Sequence, residues 1–398
     1  MTASLLLAYV SAALSLQVVL AVAFALWKKR RIAAPARTIP RVGVPQHAAW
    51  EGWREFTVAR REYEDSAHTV CSFYLEPVDG ASLPPFTPGQ FLTLAVPKSG
   101  EQTLTRCYSL SEGPNPRHYR ISVKRMLAPP GRPERPPGAC SNRLHDALQV
   151  GDRVKARPPA GDFVVDPDPT VPSVLIAGGV GITPLLCMLR GGLAADPNRT
   201  FHLYYGVRNG AEHSFRNELE DLARRHRTFH VTVVYNQPGP DDVLGESHQY
   251  AGNIDVDLLR RTLPAGRHRF YVCGPPPMMA NLLPALSQWG VLPEDLHHEA
   301  FGPASAHSAN GPPLALEVRF RKSARTLTWD GMDTNLLDFA ERHGLAVESG
   351  CRIGRCGACQ VKLVSGSVRD DFASDGGVAR GDCRLCVSVP RTALELDA

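Results

Sequence analysis

From about Val171 the sequence alternates short apolar runs with amphipathic ones, and this restricts the fold more than any other feature. SVLIAGG reads as a continuous apolar strand and TPLLCMLRGGL as a helix. TFHLYYGVRN is strand-like, SFRNELEDLARRH helical and HVTVVYN strand-like, and the strand RHRFYVCGPP leads into the helix MMANLLPALSQWG. Strand–helix alternation of this kind predicts a parallel α/β sheet covered on both faces.

The flanking regions have other patterns. Within 54–125, FTVARREY, TVCSFYLEP, QFLTLAVP and HYRISVKRM are strand-like runs separated by Gly/Pro turns such as PPFTPGQ. A Pro-rich loop, MLAPPGRPERPPG, leads to SNRLHDAL, a short helix with Ser141 expected at its N-cap. After the small-residue linker GPASAHSANGPP, LALEVRF and RTLTW suggest a hairpin, and TNLLDFAERHG a helix capped by Thr334. QVKLVSG and LCVSVP read as strands of a small α+β module.

Met1 to Trp27 contains no Asp, Glu, Lys, Arg or His, and Lys28, Lys29, Arg30 and Arg31 follow at once. As a helix, Ser4 to Trp27 would span roughly 36 Å, the thickness of a bilayer. A cleavable leader carries its positive charge before the apolar run. The expectation is therefore a retained single-pass transmembrane helix, with everything after it on the cytoplasmic side. The net charge of +4 and the lack of a basic stripe interleaved with aromatics give no case for nucleic acid.

Two places are suited to phosphate. One pairs Arg106, Tyr108 and Ser109 with Gly138 to Ser141, where an Arg and a helix N-terminus meet an aromatic face. The other is GGVGITP, Gly178 to Pro184, which follows a strand and opens a helix. Thr183 fits its N-cap and Pro184 its first helical position. Strand–Gly–helix is the context a dinucleotide pyrophosphate requires, although this is not GxGxxG. Cys273-Gly274-Pro275 ends a later strand of the same sheet and is expected to face the same crevice.

RCYS, ISVKR, GACSN, PPAGDF, GGVGITP, YYGVR, YVCGPP and EAFGP occur in the order found in the ferredoxin–NADP reductase superfamily. Over roughly residues 53–304 the chain resembles the reductase modules of flavohaemoproteins and of oxygenase electron-transfer chains. The resemblance implies an antiparallel β-barrel holding FAD (53–168) and an α/β domain holding NADH or NADPH (169–304). Arg106, Tyr108 and Ser109 would contact the flavin, in a motif set that includes Val123 and Lys124, and Gly138 and Ser141 would hold its pyrophosphate. Gly179, Gly181 and Thr183 would bind the nucleotide, with Cys273 and Gly274 near its nicotinamide. Glu299 and Phe301 match the segment that closes over the isoalloxazine. Ser109, Cys273 and Glu299 would tune the flavin–nicotinamide contact. Arg208 follows the strand where the adenosine ribose should lie and would suit the 2′-phosphate of NADPH, but NADH-using relatives look similar there and the reading leans to NADH. The Pro-rich insert before Gly138 departs from the shorter loop usual in the family. One branch uses FMN; GACSN favours FAD.

Five of the ten cysteines crowd into the last fifty residues. Cys351, Cys356 and Cys359 have the C-x4-C-x2-C spacing of plant-type [2Fe–2S] sites, and Cys386 can supply a fourth ligand. A rival reads Cys356/Cys359 and Cys383/Cys386 as two CxxC pairs of a zinc ribbon. That reading leaves Cys351 idle and gives Gly354 and Gly357 no purpose, whereas backbone N–H groups must turn toward cluster sulfides. Residues 315–398 resemble a plant-type ferredoxin domain of β-grasp fold, which makes Cys386 the fourth ligand. This module has twelve basic and twelve acidic residues. A tethered ferredoxin needs no long-range steering to reach its flavin.

The expected chain is multidomain: anchor 1–31, linker 32–52, the two reductase domains, linker 305–314 and ferredoxin domain 315–398. The implied activity is electron transfer from NAD(P)H through FAD and the cluster to a protein acceptor. No haem, diiron or Rieske motif is present in the sequence, so the terminal oxidation is expected on a partner, such as a membrane-associated oxygenase, hydroxylase or desaturase. The alternatives are a self-sufficient quinone reductase and a redox-sensing subunit of a membrane complex.

Overall fold

The computed structural model describes residues 17, 49–97, 103–128, 137–301, 315–331, 333, 335–345, 347–350, 352, 354, 357–370 and 381–398.

The first six strands are β1 (Arg54–Tyr63), β2 (Val70–Pro77), β3 (Phe91–Pro97), β4 (Thr103–Ser109), β5 (Tyr119–Lys124) and β6 (Arg153–Ala156). They form an antiparallel sheet in the order β4-β3-β6-β1-β2-β5. An antiparallel bridge from Leu110, at the end of β4, to Ile121 of β5 joins the two edges, so the sheet closes on itself. Phe56, Phe73, Leu92, Leu94, Ile121 and Val154 fill the interior. Helix α1 (Ala139–Ala147) packs Leu144 and Cys140 onto this core.

The parallel sheet is built from β7 (Ser173–Gly178), β8 (Phe201–Val207), β9 (Phe229–Tyr235), β10 (Tyr250–Ala251), β11 (Arg269–Gly274) and β12 (Leu296–Ala300). Its order is β10-β9-β8-β7-β11-β12. Helices α2 (Ile182–Ala195), α3 (Arg216–Arg225), α4 (Val256–Thr262) and α5 (Pro276–Trp289) accompany it. Successive β7 residues enter different cores. Leu175 and Ala177 pack with α2 residues such as Leu186 and Leu189, while Val174 and Ile176 pack with Leu282 and Leu286 of α5. That two-sided burial makes these strands uniformly apolar. The strand order reverses at β7/β11, the switch point where ligands of open α/β sheets bind.

The third sheet runs β14-β13-β19-β15-β17, from β13 (Leu316–Phe320), β14 (Arg325–Trp329), β15 (Gln360–Ser365), β17 (Asp382–Arg384) and β19 (Leu394–Leu396). β13 and β14 form the expected hairpin, and β13 lies parallel to β19. β16 (Val368–Asp370) pairs with β18 (Ser388–Pro390). Helix α6 (Leu336–Arg342) buries Leu336, Leu337 and Phe339 against the core. Its N-cap is Asn335, whose Oδ1 accepts from Asp338 N at 2.9 Å, so the helix is capped one residue after Thr334.

The transmembrane helix expected over 1–31 is not supported. Among the described residues no helix is long and apolar enough to cross a membrane. Apolar length is necessary for crossing a bilayer but does not establish a continuous helix of that length. Of the apolar run only Gln17 is described, helical and exposed; the rest, with 32–48 and the linker 305–314, lies outside the described residues. The assignment to a membrane with the other domains on its cytoplasmic side is withdrawn with it.

The parallel sheet carries a pH dependence. His202 of β8 stacks on His230 of β9 with ring centroids 5.0 Å apart and meets His268 edge-on at 6.0 Å. Burial first, then the two neighbouring imidazoles, push the His202 pKa down to about 4. The folded protein thus holds His202 neutral, while the unfolded chain takes up a proton near its ordinary value of about 6.5. The contribution is complete above about pH 6.5 and is lost as pH falls toward 4. Urea unfolding at stepped pH should show a loss on the order of 1–2 kcal/mol in this window, allowing for residual solvent screening. His202→Leu should remove that part of the pH dependence; an unchanged profile would refute the assignment.

Candidate functional site

On β4, Arg106 and Tyr108 are two residues apart and so share a face, and Ser109 is buried at the strand's end. Arg106 Nη1 donates to Thr105 O at 2.7 Å. Burial pushes the Tyr108 phenol far up, and the Cys140 thiol in the first turn of α1 raises it further. Tyr108 and Cys140 pack on the same barrel core. That helix begins after Gly138 with no side-chain cap. Ser141, the expected cap, lies inside the first turn, and its Oγ donates back to Gly138 O at 3.3 Å. A Cβ on Gly138 would stand 2.6 Å from Ser141 Oγ and 2.7 Å from Met126 Cβ. An uncapped helix start, a glycine with no room for a side chain and a neighbouring Arg make an anion cradle that fits the FAD pyrophosphate. Val123 packs in the barrel core, and its carbonyl pairs with His145 Nε2 of α1 at 2.8 Å.

The second cradle follows β7. Gly179–Gly181 forms one 3-10 turn and α2 starts at Ile182, with Gly181 as its N-cap and no capping side chain. Thr183, the expected cap, sits in the first turn and donates to Val180 O at 3.0 Å. Gly179 has φ +52°, which favours glycine. A Cβ on Gly181 would lie 2.1 Å from Cys273 O, so the turn packs directly on β11. Cys273 is fully buried, in register between Ala177 of β7 and Glu299 of β12. Gly274 approaches Gly178 from the next position. Glu299 is buried, and Phe301 packs against the core beneath β7 and β8. The sheet thus brings Gly179, Gly181, Cys273, Gly274 and Glu299 to one end.

Lys124 and Arg208 converge on Glu212. Lys124 Nζ lies 3.0 Å from Glu212 Oε2, and Arg208 Nη1 lies 2.7 Å from Glu212 Oε1. Glu212 was missed because its partner Lys124 is 88 residues away; the only local signal was its i,i+4 spacing from Arg208.

In the cysteine loop, Cys359, Cys383 and Cys386 are buried. Gly354 N–H donates to Cys386 Sγ at 3.2 Å, and Leu385 N donates to Cys359 O at 3.2 Å. Gly354 and Gly357 have φ of +76° and +68°, turning the backbone inward as cluster sulfides require. The backbone donor aimed at a cysteine sulfur fits a [2Fe–2S] cluster. Cys351 and Cys356 lie outside the described residues. Arg352, between them, pairs with Asp338 at 3.2 Å and with Glu341, both on the α6 segment. Burial lowers the Arg106 pKa and the Arg352 charge lowers it further. Arg157 and Glu348, 3.3 Å apart, tie the same domain to the barrel.

Residues 175–282 match the oxidoreductase NAD-binding domain and residues 319–391 the 2Fe-2S iron-sulfur cluster binding domain. A flavohemoprotein of Rhizobium meliloti (strain 1021) is 40% identical over 256 residues, 64% of this chain and 62% of the relative. The chain thus spans about three-fifths of that protein. The FAD/NAD-binding domain of a nitric oxide dioxygenase from Vibrio cholerae O1 biovar El Tor has 35% identity and a TM-score of 0.55, covering 63% of this chain and 99% of that domain. Phthalate dioxygenase reductase, a modular structure for electron transfer from pyridine nucleotides to [2Fe-2S], has 28% identity and a TM-score of 0.56, covering 87% of this chain and 98% of that one. FAD, a pyridine nucleotide and a [2Fe–2S] cluster are accordingly the cofactors of this chain. By its two cradles, its cysteine loop and these matches, the chain belongs to the ferredoxin–NADP reductase superfamily of flavoprotein oxidoreductases and carries a C-terminal plant-type [2Fe–2S] ferredoxin domain.

Proposed function

We propose that the chain is an NAD(P)H-dependent electron-transfer reductase whose acceptor is an oxygenase, hydroxylase or desaturase supplied by a partner protein. The observation that carries this reading is the Arg157–Glu348 ion pair at 3.3 Å, which sets the ferredoxin domain against the flavin barrel. A reductase relay needs this proximity, whereas two independent binding modules do not. Bound FAD supplies the exchange of a hydride for single electrons, and a bound [2Fe–2S] cluster carries those electrons one at a time.

In this reading Arg106 and the α1 N-terminus neutralise the FAD pyrophosphate, with Tyr108 against its ring system. The Gly179–Gly181 turn and the α2 N-terminus hold the nucleotide pyrophosphate. Ser109, Cys273 and Glu299 would tune the flavin–nicotinamide contact, and Phe301 would help cover the flavin. Cys351, Cys356, Cys359 and Cys386 hold the cluster, with the Gly354 N–H directed at Cys386 Sγ.

The test is an anaerobic NADH titration of the purified protein followed optically and by low-temperature EPR. Flavin bleaching with a rhombic signal of about one spin per chain is expected. Flavin bleaching with zinc in place of iron and no EPR signal would overturn the relay.

A further inference from the structure

We propose that Ser214 and Phe215, clasped by the barrel turn that joins β1 to β2, are the positioning residues that fix the distance between nicotinamide and flavin. The inference rests on the reductase reading above and deepens it. Flavin and nucleotide bind in different modules, so the joint between the modules decides how closely hydride donor and acceptor approach.

The joint is made of buried groups. Asp65, in that turn, is 7% exposed, and its carboxylate takes three hydrogen bonds from its own segment. They come from Thr69 N at 2.7 Å, Thr69 Oγ1 at 2.6 Å and Val70 N at 3.2 Å. A fourth comes from the nucleotide domain, where buried Ser214 donates from Oγ to Asp65 Oδ2 at 2.9 Å. Two backbone bonds flank it: Phe215 N donates to Glu64 O at 3.1 Å, and Ala67 N donates to Ala211 O at 2.9 Å. A carboxylate engaged this fully is a fixed acceptor, so the Ser214 hydroxyl defines one separation of the modules.

The backbone at Phe215 is bent to make this contact. Phe215 is the N-cap of α3 and has φ +61°, in the left-handed region that a bulky side chain rarely adopts. Its ring is buried and lies 5.4 Å from the Arg120 guanidinium of β5. Strain of this kind persists only where the surroundings over-determine it, and here Glu64, Asp65 and Arg120 of the other module do so. Packed elements lead from the clasp to each cradle. On the barrel side, β2 pairs through Val70 with Lys124 of β5, and the carbonyl of the adjacent Val123 bonds His145 of α1. On the nucleotide side, Phe215 packs in the core that holds Leu175 and Ala177 of β7 and Ile182 of α2.

Stopped-flow reduction of the flavin in the holoprotein over a range of NADH concentrations tests this, with dithionite reduction to show that each variant carries FAD and cluster. Ser214→Ala should lower the limiting rate by about tenfold and leave the Kd for NADH unchanged, because a displaced donor costs rate rather than affinity. Ser214→Thr keeps the hydroxyl and should hold the wild-type rate, whereas its isostere Ser214→Val should be as slow as the alanine variant. That pair decides the matter where the alanine variant fails to load FAD. A limiting rate that Ser214→Ala or Ser214→Val leaves unchanged overturns the proposal, as does a loss confined to Kd or a Ser214→Thr variant as slow as Ser214→Val. Failure of NADH to reduce the flavin of the wild-type protein refutes the underlying reductase reading instead.

Discussion

Glu218→Ala is expected to destabilise the protein by about 3–5 kcal/mol, the cost typical of removing one partner from a buried ion pair. Glu218 lies on α3 of the nucleotide domain and accepts from Arg120 Nη1 of the barrel strand β5 at 3.0 Å. Only 3% of the Arg120 side chain is exposed, so this charge has left water almost completely. Arg190 of α2 bonds the same carboxylate and reaches Glu112 of the barrel at 2.9 Å; Glu112 in turn holds His118 at 2.9 Å. Burial alone would lower the Arg120 pKa, yet Glu218 overcomes that and holds it raised. Desolvation would likewise raise the Glu218 pKa, and Arg120 with Arg190 holds it below its ordinary value. Alanine leaves Arg120 buried beside Phe215 with Ser111 as its remaining partner. Glu218→Gln keeps a hydrogen-bond acceptor without the charge and should cost less than alanine. Urea unfolding of the FAD-loaded protein measures both. A loss below about 1 kcal/mol for Glu218→Ala would show that the pair is no better than a surface ion pair. Because the network spans both modules, the alanine variant should also slow flavin reduction by NADH.

The sequence made the layers legible where burial imposes a pattern. β7, β8, β9 and β11 read as strands because both faces are covered, and α3 because its apolar face is periodic. It misplaced both functional helix starts for a shared reason. Ser141 and Thr183 are good capping residues, yet the caps are Gly138 and Gly181, and neither helix has a capping side chain. A side-chain cap would satisfy the N–H groups that a phosphate must find unsatisfied, so local propensity gives way at these sites. Short elements such as β10 and α4 carry too few residues to show a period. Charge pairing was the least legible feature. Arg208 pairs with Glu212 at 2.7 Å, a contact visible in the sequence only as an i,i+4 spacing. Arg120 and Glu218 are 98 positions apart, and only the folded chain brings them together. The transmembrane expectation rested on hydropathy and the basic flank Lys28 to Arg31, without a structural constraint such as strand pairing or cysteine spacing.

Cys386→Ala should abolish the [2Fe–2S] EPR signal and reduce NADH-driven cytochrome c reduction to the level of flavin leakage, while NADH still bleaches the flavin. Cys383→Ala should leave the signal in place. The two residues are three apart, equally buried and in one segment, so composition cannot separate them. Backbone direction does. Cys383 lies on the edge strand β17, in register with Val361 of β15, and its side chain is buried in the domain's core. Cys386 follows the strand, and its sulfur receives the N–H of Gly354 from within the cysteine loop. Arg384 Nη1 also bonds Gly354 O, drawing that loop toward the Cys386 segment. A ligand sulfur must face the loop that carries the other ligands, and a donor N–H directed at it is the polarising contact a cluster thiolate requires. The reverse pattern, with the signal lost in Cys383→Ala and kept in Cys386→Ala, would exchange their roles. Metal loss in both variants, with zinc rather than iron in the parent protein, would establish the two CxxC pairs as a ribbon and leave the flavin without its one-electron outlet in this chain.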